Sequence, residues 1–278
     1  MTNHSSGNFE GAKGTRLFFQ QWLAPKPKAR LLFIHGLGEH SDRYHHTAHF
    51  FVSAGYSVFH FDLRGHGKSE GQRGFAESLA DLLADIDRFI TKFGANSDPL
   101  FLIGHSFGGQ LALNYVTSSY PGIQKLNGII FSSPNIRVAI DIPLVKVQAS
   151  RLLSRMIPRL SLANEIPIDF LSHDPEVVKA YNRDPLVQTK ITTRLGDLIL
   201  RNQEMIDSLA QKIRLPSLFL LGSEDRICSP EASKEFFKKI PVEDKTLKIY
   251  PGFYHELFNE VGKERVFNDM VQWIEKHL

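Results

Sequence analysis

The chain has 278 residues, of which 42% are hydrophobic and 23% charged. This composition is typical of a soluble globular protein and excludes collagen, fibrous repeats and long disordered tracts. The net charge is only +3, which predicts no nucleic-acid partner. The single cysteine, Cys228, excludes an intrachain disulfide. Because no apolar run is long enough for a membrane span and the polar start lacks the core of a signal peptide, we expect a cytoplasmic protein.

Six short apolar runs bounded by turn residues predict buried strands of a parallel sheet. They are residues 31–34, 57–61, 100–104, 128–132, 218–222 and 246–250. Between them, apolar residues recur mostly every three or four positions, most clearly over 75–93 and 266–274. This alternation predicts an α/β fold with a mostly parallel central sheet and helices on both faces.

The alternation stops between residues 135 and 213, where apolar helical patches are interrupted by prolines and no strand is predicted. We therefore predict a core formed by residues 1–134 and 214–278, with a helical insertion, 135–213, over one end of the sheet. The first part of the insertion is basic: Arg137, Lys146, Arg151, Arg155 and Arg159 outnumber Asp141. This stretch predicts a solvated face, with peripheral contact to a membrane as the alternative.

A sharp turn between a predicted strand and a predicted helix carries the strongest functional signal. The run Gly104-His105-Ser106-Phe107-Gly108-Gly109 follows the apolar stretch 100–103 and precedes a helical pattern. This is the Gly-x-Ser-x-Gly nucleophile elbow in its required context. Small flanking residues are needed because the serine is strained and because larger neighbours would collide with the adjacent strand or helix. The pattern predicts Ser106 as a catalytic nucleophile.

A serine hydroxyl needs a histidine to accept its proton at neutral pH. In folds with this elbow, the chain order is serine, acid, histidine. Only His173, His255 and His277 follow Ser106. We select His255 because it lies in a loop after a predicted strand, where parallel sheets place their sites.

The acid that orients the histidine is expected in the loop after the preceding strand. That loop contains Glu224 and Asp225. We predict Asp225 as the acid that holds the tautomer of His255 and stabilises the imidazolium. Glu224 remains the competitor.

A second glycine-containing loop predicts the other half of the oxyanion site. The run His35-Gly36-Leu37-Gly38-Glu39-His40 directly follows the predicted strand 31–34. Such a loop lends one backbone N–H to the oxyanion, and the residue after the nucleophile lends another. We therefore assign the N–H groups of Leu37 and Phe107 to the oxyanion hole.

We expect no metal and no organic cofactor, since this chemistry requires neither. His45, His46 and His49 lie close together on a predicted helix. The helical zinc-protease motif needs a glutamate general base at its second position, which is His46 here. This cluster therefore does not predict a zinc enzyme.

Six stretches between about residues 30 and 260 carry a resemblance to a known family. They are His35-Gly36-Leu37-Gly38-Glu39-His40-Ser41, Arg64-Gly65-His66-Gly67-Lys68-Ser69-Glu70-Gly71, Gly104-His105-Ser106-Phe107-Gly108-Gly109, Tyr181-Asn182-Arg183-Asp184-Pro185-Leu186, Gly222-Ser223-Glu224-Asp225-Arg226-Ile227-Cys228, and Lys245 to Tyr250 with His255-Glu256. Together they resemble the α/β-hydrolase superfamily, and within it the monoglyceride lipase and lysophospholipase group. The resemblance implies the same triad, a helical cap over an acyl pocket, and a place beside the substrate for Gly36 and Cys228.

The expected function is hydrolysis of the carboxylic ester of a single-chain lipid, a monoacylglycerol, through an acyl-enzyme. The first alternative keeps the chemistry and changes the substrate to a lysophospholipid, a short-chain ester or a thioester. The second is a catalytically inactive hydrolase fold that serves as a binding protein. No pattern in the sequence indicates whether the protein is a monomer or an oligomer.

Overall fold

The computed structural model describes residues 3–94, 98–139 and 143–278, so residues 140–142 of the predicted insertion, including Asp141, lie outside the described residues. Strands and helices alternate through most of the chain. The strands are β1 (Asn3–Glu10), β2 (Arg16–Leu23), β3 (Arg30–Ile34), β4 (Ser57–Phe61), β5 (Leu100–His105), β6 (Gly128–Ser132), β7 (Ser161–Ala163), β8 (Lys190–Thr192), β9 (Ser217–Gly222) and β10 (Lys245–Tyr250). The α-helices are α1 (His45–Ser53), α2 (Leu79–Phe93), α3 (Phe107–Val116), α4 (Leu144–Met156), α5 (Pro175–Arg183), α6 (Thr193–Met205), α7 (Pro230–Lys239) and α8 (Glu264–Glu275).

Eight of these strands form the central sheet, in the order β1-β2-β4-β3-β5-β6-β9-β10. Six of them run parallel to one another: β4, β3, β5, β6, β9 and β10. The other two strands, β1 and β2, form an antiparallel hairpin that joins the sheet at β4. The mostly parallel sheet confirms the predicted fold class.

Helices cover both faces of the sheet, as predicted. One apolar cluster includes Phe89 of α2, Leu111 of α3 and Phe236 of α7. A second cluster includes Phe51 of α1 and Met270 of α8. Because the central strands are buried on both sides, they are continuously apolar instead of alternating. In the described ranges, none of these helices is both long and apolar enough to cross a bilayer.

Local capping explains where two helices begin. The predicted helix over 75–93 starts only at Leu79, because the Ser78 side chain accepts a hydrogen bond from the Asp81 backbone N–H and caps the first turn. Helix α7 begins at Pro230 after a Ser229 cap. Proline suits the first helical position because it has no N–H to leave unpaired.

Two pairs of strands were not predicted from the apolar pattern. The hairpin of β1 and β2 escapes prediction because β1 is polar and mostly exposed at the edge of the sheet. The expectation of no strand between residues 135 and 213 was wrong, since β7 and β8 form a short antiparallel pair there. Each has three residues, too few to show a period, and β7 is exposed along its length.

Burial in the central sheet sets the stability of the fold, and two isoleucines provide a matched test. Ile130 of β6 is fully buried, whereas Ile249 of β10 is 41% exposed. We expect Ile130→Ala to lower the free energy of unfolding by about 2–5 kcal/mol, because it removes buried methyl groups and leaves a cavity. Ile249→Ala should change the same quantity by less than about 1 kcal/mol. Urea unfolding of both variants checks this; equal losses would contradict the described packing.

Candidate active site

The residues predicted to carry the chemistry lie beyond the carboxyl ends of parallel strands. Ser106 directly follows β5, and the loop of residues 35–40 follows the neighbouring strand β3. Asp225 lies in the loop after β9, and His255 lies in the loop after β10. Since carboxyl ends of parallel strands share one edge of a sheet, the topology brings these loops together.

Close backbone packing forms the sharp turn at Ser106. Its backbone has φ 53° and ψ −118°, a conformation that costs a non-glycine residue about 1–3 kcal/mol. A Cβ atom on Gly104 would lie 2.6 Å from the carbonyl oxygen of Gly108, and one on Gly108 would lie 2.3 Å from that of Ile34. The Ser106 N–H donates to the carbonyl of Ser132 at 3.0 Å. Glycine is therefore required at both flanking positions, as predicted.

The structure brings Asp225 and His255 into direct contact. The Nδ1 atom of His255 lies 2.8 Å from Oδ2 of Asp225. The other carboxylate oxygen, Oδ1, accepts hydrogen bonds from the backbone N–H groups of Ile227 (2.8 Å) and Cys228 (2.9 Å). The competitor Glu224 is exposed to solvent. Of these two carboxylates, Asp225 is thus the one in contact with the imidazole.

The two other histidines that follow the serine in the chain are engaged elsewhere. His173 has its Nδ1 atom 2.5 Å from Oε1 of Glu260. His277 has its Nε2 atom 2.9 Å from Oδ2 of Asp244. Of these three histidines, His255 is the one whose ring lies within hydrogen-bond distance of Asp225.

The serine hydroxyl lies in a largely buried environment. Ser106 is 9% exposed and His255 is 3% exposed. Among the described residues, Ser106 Oγ has one side-chain partner, the Sγ atom of Cys228 at 4.0 Å. Burial and the charge of Asp225 raise the pKa of the Cys228 thiol, so this group stays neutral beside the serine. Among the described residues, Ser106 Oγ thus has no hydrogen bond to His255. Hydrogen bonds between a nucleophile and its base are often long in unliganded sites and shorten when substrate binds.

Charges around the imidazole favour its protonated form. Burial by itself lowers the pKa of His255, but the charge and hydrogen bond of Asp225, with Glu256 and Glu39, raise it above its usual value. The ring of His105 lies 4.9 Å from the ring of His255. Burial, together with the charge on His255, lowers the pKa of His105 to about 3. His255 is therefore the ring of this pair that accepts a proton.

Two stretches of backbone adjoin the serine. A Cβ atom on Gly36 would lie 3.2 Å from Cβ of Ser106, so the loop after β3 comes close to the serine, and Phe107 directly follows it in the chain. Within the described ranges, the N–H groups of Leu37 and Phe107 have no hydrogen-bond acceptor. The Phe107 side chain is buried in the core. These are the two donors assigned from the sequence.

Sequence reasoning assigned no role to a buried ion cluster beside this site. The Nη1 atom of Arg43 lies 2.5 Å from Oε2 of Glu39 and 2.6 Å from Oε1 of Glu256. Both glutamates belong to stretches that carry the family resemblance. The four-residue spacing of Glu39 and Arg43 was the one local signal for a pair. The link to Glu256 joins distant parts of the chain and leaves no such signal.

The histidines of α1 are not arranged as a metal site. His46 lies 2.7 Å, at Nε2, from the carbonyl oxygen of Phe258. His45 lies 3.7 Å, also at Nε2, from Asp42. In the part of the chain that the structure describes, no group of three or more His, Cys, Asp or Glu side chains is placed to hold a metal ion.

Comparison with known proteins extends the likeness over the whole chain. A family model described as "Serine aminopeptidase, S33" matches residues 25–262. The monoacylglycerol lipase of Mycolicibacterium smegmatis is 32% identical over 282 residues, covering 100% of this chain and 99% of that protein. The solved structure of the Paleococcus ferrophilus monoacylglycerol lipase superposes with a TM-score of 0.86 at 35% identity, covering 94% of this chain and 99% of that one.

One similar protein is much longer. The chain is 38% identical to an uncharacterized abhydrolase domain-containing protein of Dictyostelium discoideum and spans 30% of its length.

The fold and the strand–turn–helix elbow define an α/β-hydrolase, and the chain belongs to the Hydrolase_4 family. Within that superfamily it is a carboxylic ester hydrolase of the monoglyceride lipase group, which confirms the predicted resemblance.

The close packing at the elbow predicts a sharp difference between two glycine substitutions. Gly108→Ala places a methyl group against the backbone of β3 and should lower both stability and activity, because neither backbone can move away cheaply. In Gly196→Ala, on helix α6, the new atom meets nothing nearer than 3.4 Å, and stability should rise by roughly 0.5–1 kcal/mol. Thermal unfolding and ester hydrolysis measure both effects. An unaltered Gly108→Ala protein would contradict the described elbow.

Proposed function

We propose that the protein hydrolyses monoacylglycerols with Ser106, His255 and Asp225 as its catalytic triad. The observation that carries this proposal is the 2.8 Å bond between His255 and Asp225, at the sheet edge that also holds the strained Ser106. The relatives named monoacylglycerol lipase support the substrate class.

In the first half of the reaction, Ser106 Oγ attacks the ester carbonyl carbon while Nε2 of His255 takes the hydroxyl proton. The carbonyl oxygen becomes an oxyanion and accepts hydrogen bonds from the Leu37 and Phe107 N–H groups. Each such donor typically contributes about 3–4 kcal/mol to the transition state. The His255 imidazolium then protonates the leaving glycerol oxygen, and the acyl group stays on Ser106.

In the second half, water attacks the acyl-enzyme. His255 takes a proton from this water and returns it to Ser106 Oγ as the second tetrahedral intermediate collapses to a fatty acid and free Ser106. Asp225 holds the imidazole in the tautomer that presents its unprotonated Nε2 atom to the serine. Apart from the substrate and this water, no step calls on a group from outside the chain.

Residues 135–213 are proposed to form the cap over the acyl pocket, with 1–134 and 214–278 as the core. The carbonyl of Phe170 accepts a hydrogen bond from the His255 N–H at 3.3 Å. The Gln188 N–H donates to the carbonyl of Gly38 at 2.9 Å. The insertion thus contacts both loops of the site. A covered apolar pocket suits a long acyl chain, because each buried CH₂ group contributes about 0.8 kcal/mol.

A lysophospholipase is the second candidate, since the basic start of the insertion could attract a phosphate headgroup. Two of these cations have acidic partners. Lys146 lies 2.7 Å from Glu165, and Arg151 pairs with Glu204. The pairing favours the solvated face predicted for this stretch and supports the uncharged glycerol headgroup.

Substrate turnover tests the proposed function. We expect the wild type to hydrolyse a long-chain monoacylglycerol faster than lysophosphatidylcholine or a short-chain ester. Ser106→Ala should lower kcat by roughly 10⁴-fold or more, because the residual rate comes from binding and oxyanion contacts alone. Liquid chromatography with mass spectrometry measures the released fatty acid.

Ser119→Ala, which alters an exposed serine, is the control and should keep the wild-type rate. A Ser106→Ala protein as active as this control would refute the mechanism. Faster lysophosphatidylcholine turnover would favour the second candidate, and faster short-chain turnover a broad esterase.

The raised pKa of His255 predicts the pH dependence. The base acts only when neutral, so kcat/KM should rise with pH through an apparent pKa above the usual value of about 6.5. Asp225→Asn should move this limb to lower pH, since it removes the charge that stabilises the imidazolium, and should lower kcat roughly 10⁴-fold. Glu224→Gln, at the exposed neighbour, should leave the profile unchanged. A wild-type rate that is flat down to about pH 5 would argue against a histidine base.

A further inference from the structure

Three charged side chains are buried together between two loops of the site. Arg43 lies between two glutamates, with Nη1 at 2.5 Å from Glu39 Oε2, and with Nη1 and Nη2 at 2.6 and 2.8 Å from the two oxygens of Glu256. The side chains of Arg43, Glu39 and Glu256 are 9%, 4% and 2% exposed. We call these three residues the clamp.

One end of the clamp holds the loop of residues 35–40, which we call the oxyanion loop. Glu39 Oε1 accepts a hydrogen bond from the Gly36 N–H at 3.0 Å, and Oε2 accepts one from the Tyr44 hydroxyl at 3.0 Å. A Cβ atom on Gly36 would lie only 3.2 Å from Cβ of Ser106, and Gly36 directly precedes Leu37. The position of the Glu39 carboxylate therefore sets the course of the backbone that presents the Leu37 N–H.

The other end of the clamp holds the loop of the general base. Glu256 is the next residue after His255, and its Oε2 atom also accepts a hydrogen bond from the Asn259 side chain at 2.8 Å. Its backbone N–H donates to the carbonyl of Leu171 at 2.8 Å. Glu256 is thus held at both its backbone and its side chain, and His255 is held with it.

The surroundings of the clamp are buried. The ring of Tyr181 covers the Arg43 guanidinium at 4.7 Å. Burial by itself would raise the pKa of Glu256, but Arg43 lowers it to about 2. A buried ion pair adds little net stability over apolar packing, yet its geometry is specific, so its best-supported use is to fix an arrangement.

We propose that Glu39 is a positioning residue, and that the clamp keeps the oxyanion donors at a fixed distance from His255. The inference rests on the proposed function, because it assigns the clamp to the spacing of that function's two loops. Neither Glu39 nor Arg43 touches the reacting atoms of the proposed reaction. They act through Gly36 and Glu256.

The test compares Glu39→Gln with a matched control. Gln can still accept the Gly36 N–H but no longer pairs with Arg43, so the loops are uncoupled. We expect kcat to fall roughly 100-fold with KM within about 3-fold of wild type, because a misplaced donor affects the transition state more than substrate binding. Affinity for an alkyl trifluoromethyl ketone, which forms an oxyanion on the serine, should fall in parallel with kcat.

Arg64→Lys is the control, because it weakens another buried bidentate pair, with Asp85, at 2.6 and 2.7 Å, away from both loops. It should lose stability while kcat stays within about 2-fold of wild type. Tyr44→Phe is the second variant, for use if Glu39→Gln does not fold. It removes only the hydroxyl that contacts Glu39 and should cause a smaller kcat loss, roughly 3-fold.

A folded Glu39→Gln protein with wild-type kcat and wild-type ketone affinity would overturn the proposal. If it does not fold, an unchanged kcat in Tyr44→Phe would do the same. Labelling of wild-type Ser106 by a fluorophosphonate separates the two levels of inference. An unlabelled wild type refutes the proposed function and the clamp's role with it, whereas a labelled wild type leaves kcat of the variants to decide on the clamp alone.

Discussion

The approach of helix α3 to the backbone of strand β3 is the constraint on which the site depends. Gly108 lies so close to the Ile34 carbonyl that any side chain would collide with it. This contact, with the hydrogen bond from Ser106 to Ser132, holds the serine in a conformation that a free chain would leave. The cost is offset by the buried sheet around it.

The parallel sheet converts this local turn into a site. Strands β3 and β5 are neighbours, and so are β9 and β10. Their carboxyl ends therefore present the loop of residues 35–40, Ser106, Asp225 and His255 at one edge. An antiparallel arrangement of the same strands would send half of these loops to the opposite edge. Two contacts between a carboxylate and a basic side chain, Asp225 with His255 and Glu256 with Arg43, then connect the loops to each other.

Electrostatics in the site follow from burial and pairing together. Burial keeps His105 and Cys228 neutral beside the reacting groups. The same burial would oppose a charge on His255, and the adjacent carboxylates outweigh it. A buried environment also strengthens each hydrogen bond to a developing oxyanion. The site therefore has one ring, that of His255, that takes up protons, and two neighbours, His105 and Cys228, that stay neutral.

The sequence by itself determined the sheet strands with continuous apolar runs and the elbow that carries Ser106, because these depend on local pattern. The polar edge strand β1 and the three-residue strands β7 and β8 left too short or too weak a pattern. Only the tertiary structure distinguished Asp225 from Glu224 and placed Glu256 against Arg43. Such contacts join residues far apart in the chain, and their distances are decided by how strands order and helices pack, which no local period encodes.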